Sequence, residues 1–310
     1  MKKKVLFIMG TAHCGSTLLT LVLGGHSQCR AVGEISNLPD FYRRGKPVCS
    51  LCNGRCSFWN ERFSAADYQL LCGGLSEQRL HKYIPLKVEK TVRGMLKVDQ
   101  VFNPYTLIGS RIEEQVIVDS TKTVYWLEKK LAAREFQQGL VEPYLLHLIR
   151  DGRAVMASYG RRKEYQGLSA TEFGQRFGKM WQARVNNERR FFDQFSTQFD
   201  TPPKRLRYEE FATEPEQQAQ SLCDWLGIPF EPSMLDYRNH ENHVISGNGG
   251  TRGSTKAKQR ESGTVVIAPE TTQESHGIQL KQKWRNILSA EHIDAFYKTT
   301  DSQNIQYEWN

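Results

Sequence analysis

The stretch Gly10–Leu19, "GTAHCGSTLL", follows the apolar run "VLFIM" and nearly matches a nucleotide phosphate-binding loop. In the nucleoside-triphosphate pattern GxxxxGK[ST], the lysine reaches the outer phosphates and the hydroxyl residue holds magnesium. Gly10, Gly15 and Thr17 fit this pattern, but Ser16 stands where the lysine belongs. A strand, a glycine-bearing turn and a helix from about Ser16 still direct backbone N–H groups and a positive helix end at an anion. The loop therefore predicts a phosphate site that lacks the cation for a γ-phosphate.

Two further strand-like runs end in cations. "QVIVDSTK" ends at Lys122, and "YLLHLIR" ends at Arg150, eight residues before Ser158 on the next predicted helix. In parallel α/β sheets, functional side chains collect at the carboxyl ends of the strands. Lys122 and Arg150 are therefore candidate functional residues at strand ends.

The sequence also predicts the strands and helices that position these residues. Short apolar runs alternate with helical patterns, and this alternation favours an α/β fold with a parallel sheet. Four strand–helix pairs are visible, beginning with "VLFIM", "QVIVDS", "YLLHLIR" and "KRLRY". In 173–192 the apolar residues recur at spacings of three and four, which predicts an amphipathic helix with its aromatic stripe in the core. The region 43–105 reads as an insertion that is helical in its later half, and 242–275 reads as a long loop.

Taken together, "LLHLIRDGRAVMASYGRR" and "GTAHCGSTLL" resemble the sulfotransferases that use 3′-phosphoadenosine 5′-phosphosulfate, PAPS. In that family a strand-loop-helix cradles the 5′-phosphosulfate, and an arginine followed eight positions later by a serine holds the 3′-phosphate. Arg150 and Ser158 match this spacing. The resemblance covers nearly the whole chain except the insertion, and is closest to the tyrosylprotein-type and bacterial enzymes. It implies an α/β, P-loop NTPase-like three-layer sandwich with a central parallel β-sheet flanked by helices.

The same resemblance implies roles for further residues. Lys122 in "VDSTK" corresponds to the cation that steadies the transferring sulfuryl group, and Tyr208 to a tyrosine that touches the nucleotide. The loop 242–275 corresponds to one that folds over the cofactor, from which Arg252 is expected to reach the 3′-phosphate. The implied donor-binding set is Thr11, Ala12, His13, Cys14, Gly15, Ser16, Thr17, Arg150, Ser158, Tyr208 and Arg252.

Acceptor activation needs a base, and two residues are candidates. Glu34 corresponds to the carboxylate that serves as base in the tyrosylprotein-type enzymes, and is the first choice. His13 replaces the arginine or lysine common in the family; donor binding is its expected role, with a second base role left open. Arg162 matches a position that contacts the acceptor. Its alternative is a solvated residue in the basic run "GRRK".

Charge arguments agree with a PAPS site. The chain carries Lys+Arg 42 against Asp+Glu 34, a net charge of +8, which favours an anionic partner. PAPS carries roughly four negative charges, counting its 3′-phosphate near two. The product would be 3′,5′-adenosine bisphosphate, PAP, and no metal is expected.

The predicted activity is sulfuryl transfer from PAPS to a hydroxyl or amine of a small-molecule acceptor by a single sulfotransferase domain, 1–310. Sulfation of a carbohydrate or a peptide tyrosine is an alternative for the acceptor. A nucleoside-triphosphate-dependent kinase is the alternative chemistry, which the missing lysine disfavours. A nucleic-acid module would need an aromatic-interleaved basic motif, and none is present. We expect no nucleic-acid or membrane partner, and the sequence indicates no oligomeric state.

The cysteines complete the sequence evidence. Seven is an odd number for a fully paired secreted framework, so a cytoplasmic location is expected. Cys49, Cys52 and Cys56 include the CxxC step of zinc sites, but no second CxxC or HxxxH supplies a fourth ligand. A local disulfide or plain packing is therefore the favoured interpretation.

Overall fold

A computed structural model describes residues 2–52, 55–75, 103–249, 251–252 and 278–309, together with positions 88, 91, 92 and 95. Within these residues, one sheet has the strand order β2-β3-β1-β4-β5. The strands are β1 (Lys4–Met9), β2 (Cys29–Gly33), β3 (Val116–Asp119), β4 (Glu142–Ile149) and β5 (Lys204–Arg207). β3 pairs in parallel with β1 and β2, and β4 pairs in parallel with β5. The predicted α/β class with a parallel sheet flanked by helices is confirmed.

Helices connect these strands in the described part of the chain. In chain order they are α1 (Ser16–Leu23), α2 (Leu38–Arg43), α3 (Trp59–Arg62), α4 (Ala65–Leu75), α5 (Pro104–Ser110), α6 (Val124–Leu131), α7 (Arg134–Gln137), α8 (Gly152–Tyr159), α9 (Ala170–Gln198), α10 (Tyr208–Thr213), α11 (Pro215–Leu226), α12 (Trp284–Ile287) and α13 (Ala290–Thr299). Short 3₁₀ turns lie at Ile35–Asn37, Lys163–Tyr165, Pro232–Leu235 and Gln303–Tyr307. Among the described residues, no helix is long and apolar enough to cross a bilayer.

Three features differ from the sequence expectations or lie outside the described residues. β2 is absent from the predicted strands, because "CRAVG" is short and contains a charged residue. The helix predicted after β5 is divided at Pro215, which begins α11, since proline has no N–H to continue a helix. The later half of the insertion 43–105 and most of the loop 242–275 lie outside the described residues.

The chain divides into two compact units. Unit 1 consists of Met1–Phe7, Thr17–Tyr144 and Asp236–Glu270, and unit 2 of Ile8–Ser16, Leu145–Leu235 and Thr271–Asn310. A single sulfotransferase domain over 1–310 stays a prediction.

Unit 2 has an aromatic core along the long helix α9. Ser169 caps this helix in a capping box with Glu172, which satisfies donors at its first turn. Phe177 and Trp181 on α9 lie against Phe296 of α13, with ring centroids 5.6 and 5.4 Å apart. The predicted amphipathic helix and its buried aromatic stripe are thus confirmed.

A buried carboxyl in unit 1 makes stability depend on pH. Glu135 on α7 accepts hydrogen bonds from the Thr106 backbone N–H (2.8 Å) and hydroxyl (3.0 Å) through Oε2. Its Oε1 is buried without a hydrogen-bond partner among the described residues. Burial raises the pKa of this carboxyl from its usual 4.5 to about 7.

We expect Glu135→Gln to flatten the pH dependence of stability. Because the folded-state pKa is raised, the stability contribution is fully present below about pH 4.5 and is lost as the pH rises through about 7. A shift of this size corresponds to at most roughly 3 kcal/mol. Urea unfolding of the wild type and the variant at pH 5 and pH 8 measures the difference, with the exposed Glu113→Gln as control. Parallel pH profiles for the wild type and Glu135→Gln would contradict the assignment.

Candidate active site

Backbone geometry in the loop between β1 and α1 restricts which residues fit there. His13 has a left-handed φ of 67°, and Gly15 has a φ of 102°. A Cβ on Gly15 would lie 2.2 Å from Cδ2 of Tyr208. Glycine at 15 is therefore required both by the backbone conformation and by the approach of the tyrosine ring. Of the other predicted loop residues, Thr11, Cys14, Ser16 and Thr17 are buried and Ala12 is half-buried.

Arg150, directly after β4, lies in the same part of unit 2. Its Nη1 donates to the carbonyl of His13 at 2.8 Å, and its guanidinium lies 4.2 Å from the ring centroid of Tyr208. Its Nε is buried with no hydrogen-bond partner among the described residues. A buried unpaired donor costs free energy, so this geometry leaves an N–H group suited to an anionic oxygen.

Arg162 and Tyr159 enclose the His13 side chain. The guanidinium of Arg162 lies 4.0 Å from the Tyr159 ring centroid, and its Nη2 is 3.3 Å from Nε2 of His13. Because a guanidinium only donates, Nε2 is the acceptor in this contact. The His13 ring also meets the Tyr159 ring edge to face at 5.3 Å. His13, which is predicted to bind the donor, therefore contacts Arg162, which is predicted to bind the acceptor.

Ser158 lies on α8, and buried polar contacts fix the start of that helix. The Ser158 hydroxyl donates to the Ala154 carbonyl at 3.1 Å, which leaves its oxygen free to accept. Asp151 caps α8 by accepting from the Arg153 backbone N–H at 2.8 Å and also binds the Arg153 guanidinium. The Gly152 N–H donates to the Asn304 side chain at 2.7 Å. These bonds fix the first turn of α8, directly after Arg150.

In unit 1, the structure brings together two residues predicted from separate motifs. The Lys122 ammonium forms an ion pair with Oε1 of Glu34, across 88 positions of sequence. The Asn37 amide lies 3.4 Å from the other carboxylate oxygen of Glu34. The side chains of Glu34 and Lys122 are 24% and 14% exposed, so most of the surface of the pair is withdrawn from water. A proton acceptor and a cation thus occupy one small site.

A buried carboxylate fixes the turn that carries Lys122. Asp119 ends β3 and accepts from the Tyr105 hydroxyl (2.7 Å), the Trp126 indole N–H (3.1 Å) and the Thr121 backbone N–H (2.7 Å). Burial raises the pKa of Asp119, whereas these hydrogen bonds lower it. The bond to Thr121 sets the backbone one residue before Lys122.

The backbone of Glu34 is held by a segment far along the chain. Its N–H donates to the Ile245 carbonyl at 2.8 Å, and the Ile245 N–H donates to the Val32 carbonyl at 2.9 Å. Gly33 between them has a φ of 75°, and a Cβ there would lie 2.7 Å from the Ile245 carbonyl oxygen. A side chain at this position would separate the two segments.

The same segment reaches the start of α1. The Asn248 N–H donates to the Thr17 hydroxyl at 2.9 Å, so the residue that holds magnesium in nucleoside-triphosphate loops accepts a backbone hydrogen bond here. Arg252 donates to the carbonyls of Gly247 (3.1 Å) and Ser50 (3.4 Å). Burial lowers the pKa of Arg252. A 3′-phosphate contact from Arg252 stays a prediction.

Comparison with known proteins gives a family match and a fold. Residues 142–232 match a family model described as "Sulfotransferase family". The sulfotransferase domain of the Synechococcus PCC 7002 olefin synthase has a TM-score of 0.53 at 16% identity, covering 96% of this chain and 95% of that one. The sulfotransferase domain from the curacin biosynthetic pathway has a TM-score of 0.54 at 20% identity, covering 99% of each chain. The search of curated proteins found no match.

The chain has the sulfotransferase fold. The predicted resemblance to this family is thereby confirmed. The matched segment contains Arg150, Ser158, Arg162 and Tyr208. These residues and the loop residues His13 and Gly15 form what we call the unit 2 cluster. A mouse sulfotransferase, SULT7A1 complexed with PAP, aligns more weakly, at a TM-score of 0.42 and 9% identity over 98% of this chain and 87% of that one, and supports no further conclusion. The roles of the individual site residues stay predictions.

Sequence reasoning missed the histidine that joins the three cysteines Cys49, Cys52 and Cys56. Cys49, Cys52, Cys56 and His243 place one ligand atom each within 4.8 Å of one another, and all three cysteines are free. No second CxxC or HxxxH supplies the fourth ligand, but a distant histidine does, and the cysteines do not form the local disulfide that was one favoured interpretation. His243 lies 187 positions after Cys56, so no local spacing could have revealed it.

We expect Gly15→Ala to displace Tyr208 and Arg150, which pack beside this glycine. The added Cβ would overlap the Tyr208 ring at 2.2 Å and would sit at a φ of 102°, so the ring and the Arg150 guanidinium on it must move. We predict a lower melting temperature and at least a tenfold weaker affinity for PAP, measured by differential scanning fluorimetry and calorimetric titration. Gly167→Ala is the matched control, since Gly167 also has a positive φ, 81°, but no described atom within 4 Å of its Cβ position. Equal effects of the two variants would show that the overlap with Tyr208 has no importance.

Proposed function

We propose that this chain transfers the sulfuryl group of PAPS to a hydroxyl or amine of a small-molecule acceptor and releases PAP. The observation that carries the proposal is the cluster around Arg150, where a buried guanidinium N–H has no partner among the described residues. The family match over 142–232 supports it.

In this proposal the unit 2 cluster binds the nucleotide. Arg150 and the Ser158 hydroxyl hold the 3′-phosphate, which carries a charge near −2, and charge-assisted bonds of this kind are strong. The loop before α1 binds the 5′-phosphosulfate, and α1 has no acidic residue in its first turn to oppose an anion. The Tyr208 ring, held between Gly15 and Arg150, touches the nucleotide.

Glu34 and Lys122 supply the transfer chemistry in this proposal. The acceptor oxygen or nitrogen forms a bond to sulfur, the bond from sulfur to the phosphate oxygen breaks, and PAP leaves with that electron pair. Glu34 removes the acceptor proton, while Lys122 stabilises the negative charge on the sulfuryl and leaving oxygens. His13 is the second candidate for the base, and its Nε2 must release the contact with Arg162 before it can take a proton. In this scheme Arg162 also contacts the acceptor.

The origin of two structurally similar domains supports a small-molecule acceptor. The two related domains come from an olefin synthase and from the curacin pathway. We propose that the insertion 43–105 shapes the acceptor pocket, that 242–275 covers the donor, and that residues 1–310 work as one catalytic domain in the cytoplasm. Sulfation of a carbohydrate or a peptide tyrosine would appear as turnover with those acceptors instead.

Nucleotide titrations test the donor assignment. We expect calorimetry to show binding of PAP without metal and no competing affinity for ATP with magnesium. Arg150→Ala should weaken PAP by about thirtyfold, roughly 2 kcal/mol, and should leave adenosine 5′-monophosphate, which lacks the 3′-phosphate, nearly unaffected. The exposed Arg184→Ala removes the same charge and serves as control. Equal losses for both nucleotides would contradict the 3′-phosphate contact, and preference for ATP would support a kinase instead.

Glu34→Gln tests the base assignment. The amide keeps the shape of the carboxylate but accepts no proton, so we expect kcat to fall by about a hundredfold or more while PAP affinity stays within twofold. PAP release is followed chromatographically with the best acceptor from a panel of phenols, alcohols and amines. Glu61→Gln, an exposed substitution of the same type, should retain full activity. If Glu34→Gln turns over at the wild-type rate and His13→Asn does not, the base is His13.

A further inference from the structure

Three cysteines and a histidine form a buried cluster in unit 1 for which sulfuryl transfer has no use. Cys49, Cys56 and His243 are 3%, 1% and 4% exposed, and Cys52 is half-buried. Their four ligand atoms lie within 4.8 Å of one another. A group of three thiols and an imidazole this close together is the donor set of a Cys₃His zinc site.

The distances fit tetrahedral coordination. Bond lengths of about 2.3 Å to sulfur and about 2.0 Å to nitrogen place tetrahedral ligands about 3.5 to 3.8 Å apart. Nδ1 of His243 lies 3.4 Å from Sγ of Cys52 and 3.2 Å from Sγ of Cys56. Only small movements would therefore bring all four atoms to bonding distance of one ion.

The surroundings of His243 are those of a metal-bound imidazole. With Nδ1 facing the sulfurs, Nε2 lies 3.1 Å from a carboxylate oxygen of Glu241 and 3.4 Å from the Ser57 hydroxyl. A carboxylate on the distal nitrogen fixes the tautomer and raises the basicity of a zinc-bound histidine. The Phe58 ring stacks on the imidazole at 5.8 Å, and the Trp59 indole donates to the His243 carbonyl at 2.6 Å.

Backbone donors surround the sulfurs as well. Sγ of Cys49 accepts from the N–H groups of Leu51 and Cys52, both at 3.4 Å, and Sγ of Cys56 accepts from the Trp59 N–H at 3.4 Å. Donors aimed at sulfur stabilise thiolates, which are the form that binds metal. A disulfide between two of these cysteines would remove the negative charge of both thiolates. Only the third cysteine would then remain as a thiol beside the histidine.

We propose that Cys49, Cys52, Cys56 and Nδ1 of His243 bind one Zn²⁺ ion in a closed, structural site. Four protein ligands leave no open position for a substrate, as in other structural zinc sites. Soft thiolates with one imidazole in tetrahedral array favour zinc over magnesium, calcium or manganese.

The role of the ion follows from what its ligands connect. The ligands Cys49 to Cys56 belong to the start of the insertion, and His243 lies two residues before Ile245, whose carbonyl accepts from the Glu34 N–H. Ser50 adds two bonds to the Val244 carbonyl, from its N–H at 2.9 Å and from its hydroxyl at 2.8 Å. The metal would therefore join the insertion to the segment that holds the backbone of Glu34.

Metal content and cobalt substitution test the proposal on the full chain. Inductively coupled plasma mass spectrometry should find about one zinc per chain, released when a mercurial blocks the thiols and detected with a chromogenic chelator. Replacing zinc with Co²⁺ should give the thiolate charge-transfer and visible d–d bands of a tetrahedral S₃N site. Protein that has no metal and takes up neither zinc nor cobalt after reduction would overturn the proposal, as would a mass two units lower from a disulfide that persists in the native protein.

Variants locate the ion and separate binding from folding. Cys52→Ser and His243→Ala should lose zinc, whereas His243→Cys should retain it, because a Cys₄ set also binds zinc. Glu241→Gln should weaken zinc by about tenfold or more. Cys72→Ser is the matched control, since Cys72 is a half-buried free cysteine on α4 outside the cluster. Full zinc content in Cys52→Ser or His243→Ala would overturn the assignment, and these readouts do not depend on sulfuryl transfer.

Discussion

The backbone pairing of Ile245 with Val32 and Glu34 connects otherwise separate parts of unit 1. This isolated parallel bridge joins the end of β2 to a segment whose described residues form no strand. Each backbone hydrogen bond contributes only about 1 kcal/mol net, so two of them cannot hold a long connection in place. The bridge is stabilised from both sides, by the cysteine–histidine cluster at His243 and by the bond from Asn248 to Thr17. The position of the candidate base therefore depends on contacts that lie outside the reaction itself.

The proposed donor site makes a different demand on unit 2, which is that a cation be held in position before an anion binds. Arg150 is held by the His13 carbonyl and the Tyr208 ring, so little of its rotamer entropy remains to be lost on binding. The carboxylate of Asp151 is committed to Arg153 and to the cap of α8, and it cannot compete for Arg150. Glu209, whose pKa is raised by burial, accepts from the Asp151 N–H at 3.0 Å. The proximity of Arg150 lowers the pKa of Glu209 and partly opposes the effect of burial.

Much of this arrangement could be predicted from the sequence, because it rests on local patterns. A buried strand followed by a helix predicts where Arg150, Lys122 and the phosphate loop lie, and all three are at strand ends in the structure. The cysteine cluster could not be completed in this way, since its fourth member comes from a segment with no periodicity. The contact between Gly15 and Tyr208 could not be predicted either, because the sequence around Gly15 does not indicate which side chain packs against it.

The ion pair of Glu34 and Lys122 shows why such contacts matter for chemistry. Both side chains are mostly withdrawn from water, and each charge offsets the cost of burying the other. Removing one of them alone leaves an uncompensated charge, so a single substitution combines the loss of a proposed catalytic group with a change in the electrostatics of its partner. A double substitution of Glu34 and Lys122 separates the two effects, because the coupling free energy in such a cycle isolates the pairwise interaction. The two residues therefore depend on each other, because β2, β3 and the bridge at Ile245 position the proposed proton acceptor and the cation together.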